Sequence, residues 1–125
     1  MFTDVPTDIF SWATIDPKNP YIDLTPQRTP NERMMFVLDD GTALIVNGES
    51  RTIGLPLKKI REELNRKYKS WNSVTEVIHN HLRGSDFSME DYNVDKVLRK
   101  LGFTGKFRAY HPRTGIIRDL KQEAK

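Results

Sequence analysis

Two of the chain's three histidines stand two positions apart, at the end of an apolar stretch. His79 and His81 follow Val77 and Ile78, and Asp91 comes ten positions after His81. Side chains at positions i and i+2 of a strand point to the same face, so both imidazoles can reach one ion. Two histidines, one carboxylate and an open coordination position suit a catalytic zinc ion. The spacing therefore predicts that His79, His81 and Asp91 bind Zn2+, the plainer alternative being two solvated or hydrogen-bonded histidines.

The motif Ser-x-x-Asp, from Ser88 to Asp91, marks the start of a predicted helix. This spacing is typical of a capping box, in which the serine caps the helix and the acid occupies the third helical position. Capping alone can explain both residues, but it is compatible with chemistry. A helix start fixes Asp91 in the first turn, where it can face the histidines, and Ser88 can also donate a hydrogen bond to an oxyanion.

The segments before these motifs predict a hairpin, a helix and a strand. Apolar runs at 34–38 and 42–46 flank an Asp-Gly turn, which indicates a hairpin. Residues 52–54 are a candidate third strand. Helical spacing then predicts a helix that starts near Pro56 and ends at Trp71-Asn72, and an apolar run predicts a strand over 74–81. The apolar face of the helix is Leu57, Ile60, Leu64 and Tyr68.

A second helix and a closing hairpin complete the predicted order. The helix covers 88–101 and stops at Gly102, and the hairpin pairs 106–111 with 115–119. We expect His111, before Pro112, to be a turn residue and not a ligand. The order strand-strand-helix-strand-helix-strand-strand predicts a mixed α/β domain. The buried face of the second helix is predicted to be Val94, Val97, Leu98 and Leu101.

Composition indicates one soluble domain. The 125 residues are 37% hydrophobic, carry a formal charge of +3 and include no cysteine, so a metal site must use His, Asp, Glu and water. Residues 1–31 contain five prolines and predict an extended N-terminal arm, with the domain proper at 32–125. No apolar run spans a membrane and no signal-peptide pattern is present, so we expect a cytoplasmic location. The mildly basic charge favours solvated helix faces over a nucleic-acid surface.

Together, His79-x-His81 and Ser88-x-x-Asp91 resemble the JAMM signature of the JAB/MPN metalloprotease superfamily. The string from His79 to Gly84 looks most like that of the bacterial RadC-like branch, and the closing hairpin from Tyr110 to Gly115 looks like the ends of prokaryotic JAB-like domains. The resemblance extends from about Glu32 to Asp119. It implies a JAB/MPN-like fold, related to the cytidine-deaminase fold, in which helices flank a mixed β-sheet. It also implies a hydrolase of peptide or isopeptide bonds, whose substrate is a protein or peptide, including a ubiquitin-like modifier.

The same resemblance implies a role for each site residue. His79, His81 and Asp91 would be zinc ligands, and Ser88 would stabilise the oxyanion. The family also needs an upstream glutamate as general base. Glu32, at the head of an early strand, matches its usual placement, and Glu49 is the competing candidate.

Two departures from the family pattern leave a second function open. Leu82 replaces the family's proline after the second histidine, and the loop from His81 to Ser88 is one residue shorter than usual. The alternative is therefore a non-catalytic JAB- or RadC-like module that binds nucleic acid or a protein partner. A zinc deaminase is excluded because the chain lacks its cysteine ligands. An HNH nuclease is also excluded, because its named residues are dispersed along the chain, whereas His79, Asn80 and His81 are contiguous.

Overall fold

The protein folds as one mixed sheet with two helices, in a computed structural model that describes residues 9–29, 31–48, 56–81 and 87–120. This confirms the predicted mixed α/β class. No helix among these residues is long and apolar enough to cross a membrane. The strands are β1 (Phe10–Thr14), β2 (Arg33–Leu38), β3 (Thr42–Asn47), β4 (Val74–Asn80), β5 (Lys106–His111) and β6 (Ile116–Asp119), and the helices are α1 (Leu57–Arg66) and α2 (Met89–Leu101).

The strands form a single sheet in the order β1-β3-β2-β4-β5-β6. All neighbouring strands are antiparallel except β4 and β5, which are parallel. Strand β4 lies between β2 and β5 and is buried along most of its length. Because β4 and β5 run in the same direction, their C-terminal ends lie side by side. The end of β4 carries His79, and β5 ends at His111.

Each face of the sheet has its own apolar cluster. The helices cover one face, where Ile60 of α1 and Leu98 of α2 are fully buried against residues such as Phe36 and Val77. The segment that follows β1 covers the other face, where Leu24 packs against the sheet. The sheet is therefore the middle of three layers, and the side chains of β4 alternate between the two clusters.

The N-terminal segment contributes a strand that the sequence pattern did not predict. Residues 10–14 pair with β3, from Phe10 opposite Val46 to Thr14 opposite Thr42. The Trp12 indole donates a hydrogen bond to Glu63 of α1 over 3.2 Å, and Lys67 lies over its ring. Residues 1–8, the candidate strand at 52–54 and the tail at 121–125 lie outside the described residues.

Helix α1 is shorter than predicted, because it ends at Arg66 and not at Trp71-Asn72. Tyr68 was predicted on its buried face, but this was wrong: its side chain is 96% exposed and its φ is +60°. The amide of Lys69 returns to the carbonyl of Leu64 over 2.9 Å. This bond closes the helix around a left-handed residue, a position that usually holds glycine. The chain then reverses so that Trp71 can enter the core.

Helix α2 covers nearly the predicted residues, but a different side of it faces the sheet. Val97 and Leu101, predicted as buried, are 41% and 43% exposed. Leu98 is buried and Val94 packs partly against the core, as predicted, but the carboxylate of Asp95 is buried as well. The apolar pattern could not reveal this rotation because a carboxylate, Asp95, takes a core position and pairs with Arg99 at 3.1 Å. The same rotation turns Asp91, seven residues before Leu98, toward the sheet.

Candidate metal centre

Strand β4 fixes the two histidines on the face covered by the helices. His79 is opposite Met34 of β2 and is 4% exposed. Between the histidines, the fully buried Asn80 points to the other face, where its side chain accepts a hydrogen bond from the Arg33 amide over 2.7 Å. His81 follows the strand, and its amide donates to the Tyr110 carbonyl over 2.8 Å. The predicted same-face arrangement of the two imidazoles is confirmed, with ring centroids 5.3 Å apart.

The first turn of α2 brings Asp91 to the histidines. Ser88 is the N-cap residue: its amide donates to Asp91 Oδ2 over 2.8 Å, and its Oγ accepts from the Asp91 amide over 3.2 Å. The predicted capping box is therefore confirmed. These reciprocal bonds restrict the Asp91 carboxylate, which would otherwise rotate freely at an exposed helix start. Helix capping and placement of the carboxylate are consequently one structural feature.

The resulting triad has dimensions that suit a small metal ion. Asp91 Oδ1 lies 3.4 Å from His79 Nε2, and Oδ2 lies 3.5 Å from His81 Nε2. One ligand atom from each residue lies within 4.8 Å of the other two. Zinc bonds of about 2.0–2.1 Å in tetrahedral geometry separate neighbouring ligand atoms by about 3.3 Å. The donor types and their proximity are those of a group that could bind a divalent metal ion, zinc among them.

Burial keeps His79 in the neutral form that a metal requires. Desolvation is the main cause that lowers the pKa of His79 to about 4, and the neighbouring His81 lowers it further. The Asp91 carboxylate acts in the opposite direction but does not outweigh burial. At neutral pH the imidazole is therefore uncharged, and one of its two ring nitrogens carries no proton. A ligand that is already deprotonated binds a metal without releasing a proton.

Of the two candidate glutamates, the structure describes Glu32 but not Glu49. Glu32 immediately precedes β2, and its carbonyl accepts from the Gly48 amide over 2.9 Å, so the β2–β3 pairing continues to this residue. Met34 is opposite His79, and continuing this register by two positions sets Glu32 across from His81. Because side chains alternate along a strand, Glu32 is on the same face of the sheet as Met34 and the two histidines. Glu49 lies outside the described residues.

The third histidine also reaches the site, which the sequence interpretation missed. His111 was predicted as a turn residue, and this was wrong: it is the last residue of β5, and the turn begins after it. Its ring centroid lies 6.0 Å from that of His81. His111 lies outside the three-residue group whose ligand atoms converge. The parallel pairing of β4 with β5 would have predicted this position. Asn80 pairs with Tyr110, so the next residues along each strand, His81 and His111, lie side by side.

Aromatic residues form the wall behind His79. The ring of Phe107 lies 6.1 Å from that of His79, and Phe87 stands 6.4 Å from both Phe107 and Tyr92. This apolar surrounding explains why desolvation dominates the pKa of His79. Leu82 and most of the shortened loop lie outside the described residues.

Comparisons with protein-family models, with curated proteins and with solved structures found no match to this chain. The similarity to the JAMM signature therefore depends on the residues of the two motifs and on the order of the elements.

Proposed function

We propose that this chain is a metal-dependent hydrolase of peptide or isopeptide bonds with a JAMM-like site. The observation that carries the proposal is the convergence of His79, His81 and Asp91 from two separate elements, with nitrogen-to-oxygen distances of 3.4 and 3.5 Å. A strand end and the capping box of a helix start position these three groups. Such preorganisation is expected of a binding site, and surface clusters of His and Asp do not need it.

The ligand set favours a catalytic role over a purely structural one. Structural zinc ions usually have four protein ligands, whereas catalytic sites use three and leave one position for water or substrate. The group found here has three members among the described residues. When bound by His79, His81 and Asp91, zinc would supply a Lewis acid and a water molecule of lowered pKa.

The chain's own residues would supply the proton transfers and the oxyanion contact. Glu32, across from His81 in register, would accept a proton from the attacking water at its carboxylate and return it to the leaving amine. Ser88 Oγ already accepts the Asp91 amide hydrogen. A hydroxyl that accepts one bond still has its own hydrogen to donate, so Ser88 can hydrogen-bond a developing oxyanion.

The test is hydrolysis of a defined peptide mixture that includes lysine isopeptide linkages, followed by mass spectrometry. We expect the zinc-loaded protein to cleave a subset of bonds. Glu32→Gln should bind zinc normally yet reduce the rate by roughly 10²–10⁴-fold, because a general base is lost while the ligands are intact. Glu90→Gln, an exposed acid next to Asp91, is the matched control and should be fully active.

Two results would contradict this proposal. Full activity in Glu32→Gln would remove Glu32 from the mechanism, and loss in Glu49→Gln instead would transfer the role. A folded wild-type protein that binds no metal would exclude the hydrolase and favour the non-catalytic module that binds nucleic acid or a protein partner.

A further inference from the structure

All three histidines of the chain meet at one end of the sheet. His79 and His81 come from β4 and its C-terminal extension, and His111 comes from the end of β5. The rings of His81 and His111 are 6.0 Å apart and inclined by 50°, and those of His79 and His81 are 5.3 Å apart. The three rings therefore form one continuous cluster, although only two belong to the triad.

The position of His111 follows from strand register. Continuing the parallel pairing of Asn80 with Tyr110 by one residue sets His111 beside His81, on the same face. On the other side, the register of β2 sets Glu32 across from His81. Glu32, His81 and His111 thus occupy one row across three neighbouring strands. His81 is flanked in this row by the candidate base and by the third histidine.

His111 has the surroundings of a residue that acts through a neighbour. Its Nε2 atom is shielded from solvent, and the side chain as a whole is only partly exposed. Its ring contacts that of His81, whose Nε2 faces Asp91. A ring held against an imidazole ligand limits the angles that the ligand can adopt. Residues that orient metal ligands, usually by hydrogen bonding to them, typically change metal affinity or activity by 10- to 100-fold when mutated.

We propose that His111 is a positioning residue of the metal centre, which holds the His81 imidazole in its metal-binding orientation by ring-to-ring contact. This inference depends on the proposed metal site and adds a residue that the motif does not contain. It also gives a physical role to the pairing of β4 with β5, because this pairing sets His111, at the end of β5, beside the ligand His81.

The experiment measures zinc affinity by competition with a chromophoric chelator, using tag-free protein. We expect His111→Ala to weaken zinc binding by 10- to 100-fold, while the melting temperature of the metal-free protein changes little. His111→Phe retains a ring of similar size, so its affinity should stay within about threefold of the wild type. Arg113→Ala, in the exposed turn after β5, is the matched control and should bind zinc as the wild type does.

Cobalt substitution separates support from direct ligation. A positioning role predicts that Co2+-loaded His111→Ala keeps the visible absorption of the wild type, because the ligand set is unchanged. Altered absorption of the Co2+-loaded variant, or complete loss of metal binding, would make His111 a ligand and overturn the proposal. Unchanged zinc affinity in His111→Ala, or equal weakening in His111→Phe, would also overturn it. If the wild type binds no metal, the proposed function itself fails, which is a distinguishable result.

Discussion

Asp91 performs two tasks that a single substitution can separate. Its carboxylate accepts the Ser88 amide in the capping box, and it also faces both histidine nitrogens. Asp91→Asn retains an oxygen for the capping bond but loses the negative charge and one strong ligand oxygen. We therefore expect the metal-free variant to fold with nearly wild-type stability, and the zinc-dependent part of the stability to fall.

The magnitude follows from the number of ligands. Zinc binding of about 10–16 kcal/mol in four-ligand sites amounts to roughly 2.5–4 kcal/mol per ligand if shared equally, which is on the order of 100-fold in Kd. At a zinc concentration about 1,000 times the wild-type Kd, binding stabilises the fold by about 4.1 kcal/mol. A 100-fold weaker variant at the same concentration gains only about 1.4 kcal/mol. The expected loss is therefore about 2.7 kcal/mol.

Urea unfolding with zinc and with a chelator measures both quantities. The control is Glu90→Gln, which removes the same charge from the same helical turn but lies outside the triad. It should keep the full zinc-dependent gain. The reasoning would be refuted if Asp91→Asn kept that gain, or if the metal-free variant lost as much stability as the zinc-loaded one, since Asp91 would then be only a capping residue.

Three further predictions concern single residues. Ser88→Ala should cost the metal-free protein about 1 kcal/mol through loss of the cap, whereas Ser88→Asp should restore stability but not hydrolysis; restored hydrolysis would make Ser88 only a cap. In metal-free protein the pKa of His79 is about 4 in the folded state, against 6.5 in the unfolded chain. The free energy of unfolding should therefore be constant above pH 6.5 and should fall by up to about 3 kcal/mol as the pH is lowered to 4. Urea midpoints across that range should show a correspondingly flatter curve in His79→Gln, and an equally steep one would contradict the assignment. Tyr68→Gly should raise the free energy of unfolding by about 0.5–1 kcal/mol, since relief of a left-handed φ of +60° exceeds the added unfolded-state entropy; a loss would show that the exposed ring packs in solution.

The sequence predicted the shared face of the two histidines and the capping box well, because local spacing determines both. The i, i+2 pair of histidines shares a face in any strand, and a Ser-x-x-Asp box places its acid in the first turn of any helix. The Asp-Gly turn at Gly41, with φ of +85°, likewise predicted the hairpin of β2 and β3 from adjacent residues. These features depend on short stretches of chain and need no knowledge of tertiary packing.

Other features depended on packing between distant segments. The rotation of α2 buries Asp95 in place of Val97, and a pattern of apolar residues cannot predict that a carboxylate is buried. Strand β1 forms by pairing with β3, whose residues are about thirty positions later in the sequence. His111 joins the site only through the parallel register of β4 with β5. The residues around Pro112 alone therefore could not predict that His111 lies beside His81.

Metal content of tag-free protein tests the central claim most directly. The measurement is elemental analysis after purification and dialysis, for the wild type and for His81→Ala. The account predicts close to one zinc ion per wild-type chain, lost on chelation, and none in a folded His81→Ala variant. Stoichiometric zinc in His81→Ala, or a folded wild-type protein that takes up no divalent ion, would contradict it.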